Sequence, residues 1–207
     1  MGTGRLLVAG AFQEGIKTKR VYFPQAYPGD VTPYYRVSTE IEESYPAGTW
    51  AEIDLPLAEF AVFARAGAVI PVGKDHVTVT RNEGIAKTCV GGTEVQVDNE
   101  TDKGVSLDDY RGIEIFPPAN ASTEFLGEGL WIEDDGVSRK PTTTIIKVEY
   151  RVVGDEVEVE AKFIKRDFDV AWGTELWVFL PKGDTRAVKG GKPAMRKDRQ
   201  GHKIVVQ

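Results

Sequence analysis

The chain predicts an all-β protein built as two antiparallel β-sandwich domains. Apolar residues recur with a period of two in short runs, and those runs are closed by Pro, Gly and Asp. No apolar stripe with a 3.6-residue period and useful length occurs; the only helix-like window, around Leu55 to Phe63, is too short and too apolar. Short strands punctuated by turn residues imply sandwiches. At 207 residues two small sandwiches fit better than one, divided near residue 75 into units 1–75 and 76–207, with residue 117 as the alternative boundary.

The elements follow in order. Arg5-Leu6-Leu7-Val8-Ala9-Gly10 reads as a first strand. Lys19 to Phe23 alternates, with Val21 and Phe23 on one face, and Pro24 ends it. A Pro-, Tyr- and Gly-rich loop runs from Gln25 to about Tyr35, with Pro28-Gly29-Asp30 as a turn signal. Trp50 to Leu57 is the next strand. Phe60-Ala61-Val62-Phe63-Ala64 and Ala68-Val69-Ile70, separated by Arg65-Ala66-Gly67, are continuously apolar and predict a strand covered on both faces. Val77, Val79, Val95 and Val97 alternate again, around a polar, Gly-rich stretch between about Asn82 and Tyr110 that reads as a hairpin or insertion.

Ile113 and Ile115 lead into Phe116-Pro117-Pro118, another strand closed by proline. The clearest local pattern lies between Thr144 and Ile164. Ile146, Val148, Tyr150 and Val152 share one face, and Val157, Val159, Ala161 and Phe163 repeat the period after Gly154-Asp155. Glycine tolerates positive φ, so this two-residue link suits a primed hairpin turn. Each strand then offers one apolar face to a sheet packed on one side. Trp177-Val178-Phe179-Leu180 and Ile204-Val205-Val206 close the fold.

Composition excludes several classes. The net charge is −6 with a pI near 5.1, a poor start for a nucleic-acid binder. Lys189, Lys192, Arg196, Lys197 and Arg199 do cluster, but without interleaved aromatics they predict a solvated loop. The single cysteine, Cys89, forms no intrachain disulfide, and with His76 and His202 it makes no recognised zinc spacing, so no metal site is expected. No apolar stretch approaches the ~20 residues of a bilayer-crossing helix, and the start lacks a signal-peptide layout. The sequons at Asn99 and Asn120 are glycosylation candidates that matter only in a secreted eukaryotic protein.

The search for chemistry returns little. There is no nucleophile elbow, phosphate loop or dinucleotide fingerprint. Splitting a sugar bond takes two carboxyls about 5–5.5 Å or about 6.5–9.5 Å apart. The acidic clusters are Asp108-Asp109 and Glu133-Asp134-Asp135, and neighbours in a strand point to opposite faces. Asp135-Gly136 reads first as a turn. Of Trp50, Trp131, Trp172 and Trp177, any could stack on a sugar ring. Trp177 sits in an apolar strand and reads as core. Trp172, in a loop after Asp167-Phe168-Asp169, is the best candidate for an exposed, carbohydrate-binding position.

Three segments resemble glycoside hydrolase family 31, which contains α-glucosidases and α-xylosidases. They are Arg5-Leu6-Leu7-Val8-Ala9 with Glu14-Gly15 and Arg20-Val21-Tyr22-Phe23-Pro24; then Phe63-Ala64-Arg65-Ala66-Gly67-Ala68-Val69-Ile70-Pro71; then Ile115-Phe116-Pro117 with Leu130-Trp131-Ile132-Glu133-Asp134-Asp135-Gly136-Val137-Ser138. They keep the family's order over residues 5 to 138. The resemblance implies a proximal and a distal C-terminal β-sandwich that follow a (β/α)₈ catalytic barrel. Both catalytic aspartates of the family lie on that barrel, so no catalytic residue is assigned here, and the chain alone is expected not to be an enzyme. The partner implied is that barrel, in cis or in trans; no cofactor, nucleic acid or membrane partner is implied. The alternatives are a stand-alone carbohydrate-binding module for α-glucans and one subunit of a split α-glycosidase. Two departures bear on substrate preference: Val31-Thr32-Pro33-Tyr34-Tyr35 stands where many members carry Trp-Tyr-Asp, and Asn82 to Tyr110 is longer than usual.

Overall fold

A computed structural model describes residues 5–10, 14–37, 43–55, 60–73, 87–90, 93–96, 111–119, 124–134, 140, 142–170, 172–196 and 199–207. Among these, the regular elements are strands. In chain order they are β1 (Leu6–Ala9), β2 (Thr18–Phe23), β3 (Pro33–Arg36), β4 (Ser44–Pro46), β5 (Thr49–Asp54), β6 (Ala61–Arg65), β7 (Val69–Gly73), β8 (Lys87–Val90) and β9 (Thr93–Gln96). There follow β10 (Arg111–Ile115), β11 (Phe125–Asp134), β12 (Thr143–Val153), β13 (Glu156–Arg166), β14 (Glu175–Phe179), β15 (Ala187–Lys189), β16 (Lys192–Arg196) and β17 (Arg199–Val205). Among the described residues no helix is long and apolar enough to cross a membrane. The all-β sandwich expectation holds.

The first sandwich sets a four-stranded sheet, ordered β1-β6-β3-β4, against the β2–β5 pair. Val21 and Phe23 from β2 and Ile53 from β5 meet Tyr34 and Phe63 from the facing sheet. Phe23 stacks on Tyr45 with ring centroids 4.7 Å apart and meets Phe63 edge-on at 5.0 Å. Aromatic rings bury large areas, so a few fill a small sandwich.

The second sandwich packs a five-stranded sheet, β16-β17-β14-β10-β7, on a four-stranded one, β11-β12-β13-β15. Its hub is the hairpin legible in the sequence. Val152 faces Val157, Tyr150 faces Val159, Val148 faces Ala161 and Ile146 faces Phe163. Gly154 in the connecting turn has φ of +61°. Ile113, Ile115, Leu176, Val178 and Ile204 come from the opposite sheet.

Two features depart from the sequence reading. The division was expected near residue 75, but β7 ends before that point and is hydrogen-bonded antiparallel to β10, so the chain changes sheets around Gly67 and Ala68. The basic cluster expected as a loop is instead largely paired strand. Lys189 lies in β15, Lys192 and Arg196 in β16, and Arg199 in β17, with β16 an outer strand that carries Lys192 and Pro193, residue types that discourage pairing with other chains. Lys197 lies outside the described residues.

A third cluster joins the two sandwiches. Tyr35, Ala64, Ala66, Ala68 and Phe116 bury together, with Val37, Ile70 and Phe125 against them. Backbone bonds stitch the same crossing: Gly67 N–H to Phe116 O at 3.0 Å and Phe116 N–H to Ala68 O at 3.2 Å. The Tyr35 hydroxyl accepts the Ala119 N–H at 2.8 Å, 84 residues away in sequence.

Candidate functional site

The segment Phe63–Pro71 shows why its residue types are needed. Phe63 and Ala64 point to opposite faces of β6, and both are fully buried, one in the first core and one in the joining cluster. Arg65 then reaches sideways to Asp30, which is only 2% exposed. Asp30 sits in the Pro28-Gly29-Asp30 turn. Its Oδ2 accepts the Ala26 N–H at 3.0 Å and its Oδ1 the Thr32 N–H at 3.0 Å, while its carbonyl accepts Gln25 Nε2 at 2.8 Å. Burial alone would raise this carboxyl, but the Ala26 backbone donor, the Thr32 side chain and backbone and, last, the Arg65 guanidinium outweigh it and hold the pKa down at about 2. Gly67 follows at φ +90°, a conformation costly for any residue with a Cβ, and an added Cβ would also meet the Phe125 ring at 3.2 Å. The sequence marked Asp30 only as part of a turn, because its partner Arg65 lies 35 residues away.

Arg65 also lines a cleft of about 930 Å³ between the sandwiches, together with Arg5, Tyr27, Phe125, Tyr150 and Arg151 among others. Burial pushes the Tyr150 phenol well above its ordinary value. A second cleft, of about 780 Å³, lies at the other side of the crossing. There Arg186 grips Asp184, Nη2 to Oδ2 at 2.5 Å, and donates to Pro118 O at 2.9 Å and Pro117 O at 3.4 Å. His202 lines it too, its pKa lowered by burial.

The acids named from the sequence do not converge. Glu133 turns inward to Arg111, Nε to Oε1 at 2.5 Å, whereas Asp134 is exposed on the other face of β11. Asp108, Asp109 and Asp135 lie outside the described residues, as do Asn99, Asn120, His76 and the side chain of Cys89. Among the described residues, no group of three or more His, Cys, Asp or Glu side chains could hold a metal ion.

The tryptophans sort differently from expectation. Trp172 is buried, at 6% exposure, because its loop folds back over the sandwich and stacks the indole on Trp131 at 5.9 Å. That position offers no open face to a sugar. Trp177 is half-buried, stacked on Phe179 at 5.8 Å with Lys203 over its ring at 5.1 Å. Trp50 is the exposed one, at 57%. The signal was present in the parity of β5: Ile53 and Ala51 face the core, so Trp50, Glu52 and Asp54 face away.

Comparison with known proteins agrees with the motif order. Residues 1–70 match the family model described as "Glycosyl hydrolase family 31 C-terminal domain". Among curated proteins none matches this sequence. Of the solved structures, a family 31 dextranase from Flavobacterium johnsoniae aligns over 95% of this chain at 19% identity, with a TM-score of 0.57, across 20% of its own length. An α-1,4-glucan lyase from Gracilariopsis lemaneiformis aligns over 96% at 17% identity (TM-score 0.53), across 17% of its length. A family 31 α-xylosidase from Xanthomonas citri aligns over 98% at 16% identity (TM-score 0.53), across 19% of its length. This chain thus spans about a fifth of the length of each. The motif order, the family model over residues 1–70 and the fold all resemble the C-terminal region of glycosyl hydrolase family 31 enzymes.

Proposed function

We propose that this chain is the non-catalytic C-terminal part of a family 31 α-glycosidase, packing on and supporting a (β/α)₈ barrel that carries the chemistry. The observation that carries the reading is a coverage mismatch: nearly the whole chain aligns with family 31 structures, yet it matches only about a fifth of each. The outer face of the β1–β6 sheet supports it as well. Leu6, Val8 and Phe60 are 50%, 60% and 71% exposed, an apolar strip that gains by burial against a partner. A stable association needs roughly 1,000 Å² or more of interface. Two sandwich units follow from the same reading, the second taking β7 as its own strand. The parent enzyme belongs with hydrolases of α-glycosidic bonds, and no residue of this chain is given the nucleophile or acid/base role.

The test is hydrolysis of an aryl α-glucoside by the purified chain. The expected result is no turnover above buffer, with activity appearing only alongside a barrel-bearing polypeptide. Turnover by the chain alone that is lost on Asp134→Asn would overturn the reading.

A further inference from the structure

The solvent face of the β2–β5 pair carries a set of side chains that the first sandwich does not need for its core. Tyr22 and Trp50 are direct cross-strand partners, and their rings lie 5.2 Å apart at 44°. The Arg20 guanidinium sits 4.8 Å from the centre of the indole. Even so, Trp50 keeps 57% and Tyr22 41% of its surface in water. Along the same face, Arg20 pairs with Glu52 and Thr18 with Asp54 in the register, and the Thr18 hydroxyl donates to Glu52 Oε1 at 2.7 Å, orienting that carboxylate.

We propose that Trp50, Tyr22 and Arg20 form a contact ledge for a pyranose ring of a neutral oligosaccharide. The Tyr22–Trp50 contact and the Arg20 guanidinium cover only part of the two rings, so much apolar ring surface is left in water, and a ligand with an apolar face is the partner that rewards it. A pyranose has such a face in its axial C–H groups, and its hydroxyls both donate and accept. The rim matches that duality: Arg20 only donates, Glu52 and Asp54 accept, and Thr18 does both. Nucleotides fit poorly, because Glu52 is the next same-face residue to Trp50, Asp54 follows it, and the chain carries a net charge of −6. The two strands are held by six paired positions, so the ledge is preformed rather than assembled on binding. This inference is independent of the barrel-supporting role, which is read from hydrolysis and association.

The experiment is a titration of the ¹⁵N-labelled chain with maltoheptaose and, separately, isomaltoheptaose, following the four indole N–H resonances. Trp50→Phe assigns the Trp50 signal. The expected result is a saturable shift at Trp50 with at least one of the two sugars, and none at the stacked, buried Trp131 and Trp172. Trp50→Ala weakens binding by about tenfold and Tyr22→Ala by a few-fold, with only a small fall in the thermal midpoint from the lost cross-strand ring contact. Should Trp50→Ala fail to fold, Tyr22→Ala and Arg20→Ala read the same ledge. No saturable shift with either sugar, or full affinity retained in the ledge variants, overturns the proposal.

Discussion

The two sandwiches solve the same packing problem with different material. The first closes a two-stranded sheet over a four-stranded one, and its core turns on Phe23, Tyr34, Phe63 and the half-buried Tyr45. The second opposes sheets of five and four strands and fills the gap with many more side chains: aliphatic Ile113, Ile115, Ile146, Val148, Val157, Leu176 and Val178 among them, with Tyr150 and the stacked Trp131 and Trp172. Fewer strands bring fewer inward positions, so each must carry more volume. A small core of large rings concentrates its stability in few residues; a broad, mostly aliphatic core spreads it over many.

That contrast is broken most directly by truncation. Phe23→Ala removes the ring shared by Tyr45, Tyr34 and Phe63, and is expected to cost about 4 kcal/mol, against about 3 kcal/mol for Ile146→Ala in the second core. Urea unfolding checks this. Trp50 is the one tryptophan of the first sandwich and Trp131, Trp172 and Trp177 belong to the second, so fluorescence of Trp50→Phe and wild-type chains separates the two. If Phe23→Ala shifts both sets of signals together, the crossing through Tyr35 and Phe116 couples the sandwiches into one cooperative unit. If it shifts only Trp50, they unfold apart.

The same contrast explains what the sequence revealed. The β12–β13 hairpin was legible to the residue because its two strands are adjacent in the chain, its period is clean and its turn is Gly154-Asp155. The β2–β5 pair was legible as two strands but not as partners, since Val21 meets Ala51, 30 positions along the chain, with β3 and β4 between them. The parallel match of β10 to β14 and the recruitment of β7 are equally non-local, and no periodicity carries that information. Trp172 failed as an exposed candidate for a related reason. Its flanking Asp167 and Asp169 describe a loop correctly, but only the folded chain puts Trp131 beneath it. The family motifs marked Arg65 and Gly67, whereas Asp30, which gives Arg65 its purpose, was legible only as a turn residue, its pairing with Arg65 being non-local.

Asp30 provides the next largest effect and a pH signature. Its carboxyl titrates near 3.8 when unfolded and at about 2 in the fold, so the folded state binds its proton less readily. The contribution to stability is complete above about pH 5 and is lost as pH falls through 3.8 towards 2; the size is about 2 kcal/mol. Asp30→Asn is expected to lower stability at neutral pH by roughly that amount and to remove the corresponding slope between pH 5 and 2. Urea midpoints measured across that range in wild type and variant decide it. A variant that keeps the full wild-type slope would assign the acid sensitivity to other carboxylates.

The smallest effect belongs to the outer face of the second sandwich, where the contrast with Asp30 is sharpest. Glu158 also accepts charge-assisted hydrogen bonds, from Lys189 first and Arg151 second, and these lower its pKa. Yet Arg151 and Lys189 are half or more exposed, and water competes for every bond that they make. Depressing a carboxyl therefore means different things at the two places: at Asp30 the buried fold depends on the charge, whereas at Glu158 the charge merely has company. Glu158→Gln is expected to leave the urea midpoint at pH 7 where it was. In the wild-type chain, raising sodium chloride to about 0.5 M should move the Glu158 carboxyl back towards its ordinary value, measured by NMR titration, while Asp30 stays low behind its backbone donors. Equal salt responses at the two carboxyls would mean that Asp30, too, is held by screened charge rather than by the geometry of its turn.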